Sequence, residues 1–306
     1  MTSKSPLNIV FIGCVKFSHT MLKQLLETNE LAINICAIVS KSASPFNSDF
    51  QSLLPLAKEY DIPCLDYKKD TKTLINFLSQ YEFDVIYCFG WSELLSEKLL
   101  HSSPLGVIGY HPTKLPKNRG RHPIIWPLVL GLSETASTFF IMDKGADSGP
   151  IVNQQDVSIG LDDDATSLYK KLTNTAKKQI TQLTQAIIDY DLHPITQDSS
   201  QATYWRQRTP EDGKIDWRMQ ASDIYNLVRG LTKPYVGAEF IFQKKTYKVW
   251  SCKIDDLSYD KSLIPGTVIK RISNDSIWLT VKCGGTSAIS FPLENSCNNL
   301  QKGTML

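Results

Sequence analysis

His111 and Asp147 are the residues whose types and surroundings could do chemistry. His111 follows the apolar run Val107 to Tyr110 and precedes Pro112, so its imidazole ends a strand abruptly. The carboxyl ends of strands are where ligands bind in an open α/β sheet. Because an imidazole titrates near neutrality, a histidine placed there suits proton handling. Asp147 stands between Gly145 and Gly149, which suits a carboxylate carried on a tight turn. The loop after His111 is stiffened by Pro112, Pro116 and Pro123, can turn at Gly120, and carries Lys117, Arg119 and Arg121. Cations on a stiff loop suit an anionic ligand. Each residue alone has a plainer reading, with His111 bonding to backbone and Asp147 closing an Asx-turn.

The elements that must position these residues alternate along the first half of the chain. Leu7 to Ile12 is an apolar run closed by Gly13, and Met21, Leu22, Leu25 and Leu26 then recur at helical spacing. Ala32 to Val39, Pro63 to Leu65, Val85 to Phe89 and Val107 to Tyr110 read as further strands. Helices are expected around Leu53 to Ala57 and around Leu74 to Leu78, the second capped by Asp70. Uninterrupted apolar strands joined by crossover helices imply a parallel sheet with helices on both faces. Gly13 is not part of a Gly-x-Gly-x-x-Gly, so this Rossmann-like pattern gives no support to a nicotinamide or flavin cofactor.

After Asp147, Ile151 to Val157 reads as a strand. Asp162 to Asp164 open a long helix striped by Leu168, Leu172, Ala176, Ile180, Leu183 and Ile187. His193 to Ser200 is polar and reads as a linker, so the expected domains are 1–200 and 201–306. Beyond it come a helix at Ser222 to Leu231 and strands at Glu239 to Phe242, Tyr247 to Ile254, Gly266 to Ile272, Ile277 to Val281 and Ala288 to Phe291. Short strands at such intervals suggest a small barrel.

Composition narrows the classes. The 306 residues are 42% apolar and 21% charged, as in a soluble globular protein. A net charge of +2 without clustered cations weighs against a protein that wraps nucleic acid. The seven cysteines are scattered without metal-ligand spacing, which fits thiols in a reducing cytosol, and no metal is expected. No apolar run approaches the roughly 20 residues a membrane span needs, and no leader pattern opens the chain. A cytoplasmic location is expected, and a homodimer is left open.

The order strand, His111-Pro112-x-x-Leu115-Pro116-x-x-Arg119-Gly120, then Gly145-x-Asp147-x-Gly149 resembles the folate-dependent formyltransferases. Ala202-Thr203-Tyr204, the run from Arg208 to Gly213, Ile215-Asp216-Trp217, the run from Asn226 to Arg229 and the run from Pro234 to Ala238 resemble the carboxyl-terminal domain of the tRNA and 4-amino-sugar branches. The resemblance implies a Rossmann-like domain followed by a small OB-like β-barrel. It implies N10-formyltetrahydrofolate as co-substrate, with the pterin against Phe89, Gly90 and Trp91 and the loop Asp143, Gly145 and Asp147. It also implies a cis Leu115-Pro116 bond, and an Asp147 close enough to His111 to orient the ring.

One position departs from the family pattern, which has Asn two residues before the histidine; here that residue is Gly109. Loss of one oxyanion donor typically costs about 10² to 10³ in rate. His122 is the favoured substitute, with Asn118 or a backbone N–H as alternatives. The acceptor implied is the amine of a nucleotide-linked amino sugar, 4-amino-4-deoxy and linked to UDP or dTDP, made for a surface polysaccharide. Lys16, Arg119, Arg121, Arg206 and Arg208 are the expected partners of its diphosphate. Methionyl-tRNA formyltransferase is the alternative, but that branch carries a basic insertion after the second strand, whereas Ser40 to Leu56 has Lys41 as its only cation and carries Asp49. A catalytically silent folate or sugar-nucleotide binder is the reading of another class.

Overall fold

The computed structural model describes residues 5–44, 48–273, 276–293 and 299–306. Two compact units emerge: 1–120 with 135–157 and 170–204, and 121–134 with 158–169 and 205–306. The chain thus passes between units more often than a single linker at 193–200 allows.

The first unit is built on strands β1 (Leu7–Gly13), β2 (Ile33–Ser40), β3 (Cys64–Asp66), β4 (Val85–Phe89) and β5 (Val107–His111). Arg119–Gly120 (β6) is a two-residue strand, followed by β7 (Glu134–Ile141) and β8 (Ile151–Ser158). The sheet order is β3-β2-β1-β4-β5-β7-β8. The pairs from β3 to β5 are parallel, and β7 runs antiparallel to β5. The central strands are apolar because both faces are covered: Ile9, Val10, Phe11, Ile12, Val85, Ile86 and Val107 are all fully buried.

Helices α1 (Lys16–Glu27), α2 (Leu54–Glu59), α3 (Thr71–Leu78) and α4 (Glu97–Leu100) separate the parallel strands. Asp70 caps α3 as expected, accepting from the backbone N–H of Lys72 and Thr73. A fifth short helix is α5 (Ile125–Val129), and α6 (Ala165–Ile188) is the long one. Its expected stripe from Leu168 to Ile187 is buried throughout. Main chain at 49–51 lies against the turn after β1, since Lys16 N donates to Asp49 O and Gln51 N to Cys14 O.

Strand β7 has no counterpart in the sequence reading, because Thr135, Ser137 and Thr138 make it look polar. Those side chains are nonetheless buried. Burial is tolerable because their hydroxyls find partners: Thr135 Oγ1 donates to Pro112 O at 3.1 Å and Thr138 Oγ1 to Thr113 O at 2.6 Å. These bonds hold the loop that leaves His111.

The second unit contains α7 (Ala221–Leu231), whose Ile224, Leu227, Val228 and Leu231 enter a core with Trp217, Phe240 and Phe291. After the two-residue β9 (Tyr204–Trp205) come a hairpin, β10 (Ala238–Phe242) with β11 (Lys245–Val249), and strands β12 (Lys253–Ile254), β13 (Val268–Ser273), β14 (Ile277–Lys282) and β15 (Ala288–Leu293). The last four form an antiparallel sheet in the order β12-β15-β14-β13. The strand expected over Tyr247 to Ile254 is divided between β11 and β12.

Candidate active site

His111 is the last residue of β5 and is 5% exposed. Its Nε2 lies 3.0 Å from the carbonyl O of Asn118. A carbonyl only accepts, so Nε2 carries the proton and donates it. The other ring nitrogen, Nδ1, faces Asp147 Oδ2 at 3.6 Å. An imidazole beside a carboxylate is a pairing that general acid–base chemistry can use.

The loop between them is shaped by local bonds. Thr113 Oγ1 donates to Lys117 O, Gln154 Nε2 to Leu115 O, and Leu115-Pro116 is cis, as the resemblance implies. Asn118 follows in the left-handed region with φ 63°, a conformation Asn tolerates better than most residues. Arg119 N pairs with Thr203 O, and Gly120 N donates 2.9 Å to Asp147 Oδ2. One carboxylate thereby holds both the histidine side of the site and the loop beyond it.

Asp147 itself has φ 55°. Asp143 steadies the turn, its Oδ1 accepting from Gly145 N and Ser148 Oγ. Gly149 is obligatory, because an added Cβ would collide with the Ile141 carbonyl oxygen.

A buried residue that the sequence reading passed over fixes the loop from below. Gln197, within the expected linker, is 7% exposed and donates from Nε2 to Asp147 O at 2.9 Å and Gly149 O at 2.6 Å. Its Oε1 accepts from Arg119 Nη2 at 2.7 Å and from Nε at 3.2 Å. Ile151 and Ile195 exchange backbone bonds, so the segment packs against β8 rather than swinging free. A lone glutamine in a polar stretch carries no periodic signal that would have revealed it.

Several expected ligand contacts take a different form. Arg119 was expected at a diphosphate, yet it is 2% exposed and its guanidinium is held by Gln197 and the Tyr204 hydroxyl. It meets the Asp147 loop through Gln197, which bonds to both. Phe89 is fully buried among the rings of Phe11, Tyr87 and Phe139, so only its main chain can meet a ligand. Gly90 has φ 60°, with Val15 packed where a side chain would project. Trp91 packs partly against the core beside Tyr67.

Lys16 is exposed at the start of α1. In the second unit Arg121 is exposed, Arg206 forms a two-pronged ion pair with Asp212, and Arg208 donates to the Asp212 carbonyl. Both Arg206 and Arg208 lie over the Trp126 ring, at 5.3 and 4.8 Å. His122 is half-buried there with φ 55°, and its pKa is lowered by burial first, then by Arg208 and Arg121.

Position 109 is apolar. Residues 109 and 111 point to the same face of β5, and Gly109 is flanked by Cys88 on β4 and Phe140 on β7. An ideal Cβ on Gly109 would stand 2.8 Å from Met142 Cγ and 3.1 Å from Phe140 Cζ. Asn118, the alternative donor, has its side-chain oxygen engaged by Thr203 Oγ1 at 3.2 Å.

A mostly parallel sheet with an imidazole and a carboxylate meeting at a strand's carboxyl end is an α/β arrangement, and that end of such a sheet is where ligands bind. The chain belongs to the formyl transferase family: the formyl transferase model matches residues 7–184, and its C-terminal domain model matches 208–293. Among solved structures, WlaRD, a sugar 3N-formyl transferase crystallised with dTDP and 5-N-formyl-THF, is 16% identical with TM-score 0.71, over 95% of this chain and 99% of that one. A 4-N formyltransferase from Francisella tularensis is 19% identical with TM-score 0.65, over 79% and 96%. A methionyl-tRNA formyltransferase from Clostridium thermocellum is 15% identical with TM-score 0.58, over 90% and 98%.

Proposed function

We propose that the chain transfers a formyl group from N10-formyltetrahydrofolate to the amine of a nucleotide-linked amino sugar, 4-amino-4-deoxy and linked to UDP or dTDP. The observation that carries this reading is the His111 Nδ1 to Asp147 Oδ2 approach of 3.6 Å at the end of β5. The neutral amine attacks the formyl carbon, the bond from that carbon to folate N10 breaks, and the amine's proton passes to His111 Nδ1. Asp147 steadies the imidazolium, which returns the proton to N10. The pterin meets the main chain of Phe89, Gly90 and Trp91 and the loop Asp143 to Asp147.

A small acceptor is favoured over initiator tRNA. Lys41, the only basic residue of Ser40 to Leu56, is buried against Glu93, so that segment offers little to a phosphate backbone. The acceptor's phosphates are assigned to Arg121, Arg206 and Arg208, of which Arg121 and Arg206 are exposed.

A silent binder is the second reading, and the packing of Met142 on Gly109 favours it. Incubation with formylated folate and, separately, 4-amino and 3-amino sugar nucleotides on UDP or dTDP, or charged initiator tRNA, tests all three. Formyl consumption with a 4-amino sugar nucleotide supports the proposal. Consumption with tRNA alone, or tight binding without turnover, overturns it.

A further inference from the structure

Lys41 is a basic residue with almost no access to solvent, only 7% of it being exposed. It follows the last residue of β2 at the carboxyl edge of the sheet. Its Nζ meets Glu93 Oε1 at 2.5 Å, and it stands 4.6 Å from the Trp91 ring centroid and 5.9 Å from that of Tyr67. Tyr67 and Trp91 touch as well, with centroids 5.3 Å apart. Tyr67 leaves β3, while Trp91 and Glu93 leave β4. One ammonium therefore ties together the segments that emerge from β2, β3 and β4 at the same end of the sheet.

Net stability is a weak reason for such an arrangement, because desolvating two charges largely offsets their attraction. Positioning is a stronger one. Residues 91–96 lie outside helix and strand, and fixing irregular backbone costs conformational entropy that side-chain tethers must counter. The ammonium supplies an ion pair to Glu93 and a cation–π contact to Trp91 at once.

We propose that Lys41 is a positioning residue for the formyl donor. It holds Trp91 and Glu93 so that the main chain from Phe89 to Trp91 presents a fixed edge to the pterin. This rests on the donor site assigned above. Lys41 touches neither His111 nor Asp147, so its loss acts on donor binding and leaves the proton transfer alone.

The test uses the full chain and the stable analogue 5-formyltetrahydrofolate, measured by calorimetry and by quenching of tryptophan emission. Lys41→Met keeps the aliphatic stem, Lys41→Met with Glu93→Gln removes the stranded carboxylate, and Lys41→Arg restores a cation. Kd for the analogue, and KM for the donor, are expected to rise about tenfold in both neutral variants, with kcat within about twofold and most affinity regained by arginine. Wild-type Kd in Lys41→Met, or a fall in kcat without any change in KM, overturns the role of Lys41 alone. A wild-type chain that fails to bind the analogue overturns the donor site itself, and this inference with it.

Discussion

Met142 occupies the space that a side chain on Gly109 would need, its Cγ standing 2.8 Å from an ideal Cβ there. The face of β5 that carries His111 is therefore closed by a thioether and the Phe140 ring where a polar donor could otherwise sit. Gly109→Asn alone should destabilise the protein by about 1–3 kcal/mol through overpacking, and adding Met142→Ala should recover part of that. If a missing oxyanion donor limits the rate, the double variant should turn over up to about 10²-fold faster. Thermal denaturation and turnover of the two single variants and the double variant measure both effects.

His111→Asn should lower turnover by about 10² to 10⁴, the usual range for losing a positioned acid–base group. Asp147→Asn should lower it as well, because it removes the charge facing Nδ1 while an amide oxygen can still accept from Gly120 N. Analogue binding should survive His111→Asn. Turnover within about twofold of wild type in His111→Asn would rule out its role in proton transfer.

Gln197→Leu should be more damaging than its place in a polar stretch suggests. It deletes two bonds to the Asp147 loop and leaves the buried Arg119 guanidinium without its main acceptor. A stranded buried charge costs about 3–5 kcal/mol. The expected outcome is a lowered Tm together with lost turnover, and unchanged Tm would refute the bracing role.

His122→Asn tests the donor expected of that imidazole, since turnover equal to wild type would end the assignment. The same variant tests a linkage. His122 has a folded-state pKa below its ordinary value, set first by burial and then by Arg208 and Arg121. Between the folded and unfolded pKa values the unfolded chain binds more protons, so this group makes stability rise with pH. Its contribution should be complete above about pH 6.5 and decline as pH falls through the window below. Unfolding midpoints compared from pH 7.5 downward should show a flatter dependence in the variant.

Asp212 has a carboxyl held well below the ordinary range, first by the Arg206 guanidinium and then by Thr209 N. Its stabilising effect is present above the unfolded value near about 4 and is lost as pH falls toward the depressed folded value. Arg206→Met should therefore make the protein less sensitive to acid in that window, while lowering its stability at neutral pH. Acid titrations followed by circular dichroism on both chains measure this.

The parallel strands β1, β2, β4 and β5 were legible because strands buried on both faces must be apolar. Helix α6 was legible from its stripe, and the cap of α3 from Asp70. His111 at a strand end and Asp147 in a glycine-flanked turn were legible too, being written in runs of a few adjacent residues. Strand β7, the inward course of Arg119, the grip of Gln197 and the filling of Gly109 by Met142 were not. Each is a polar or small residue whose burial depends on a partner distant in sequence: Thr138 on Thr113, Arg119 on Gln197, Gln197 on Asp147, and Gly109 on Met142. Periodicity reports which face of an element is apolar. Only the folded chain decides which polar groups satisfy one another inside it, because a buried donor is tolerated only once its acceptor has been brought within hydrogen-bond reach.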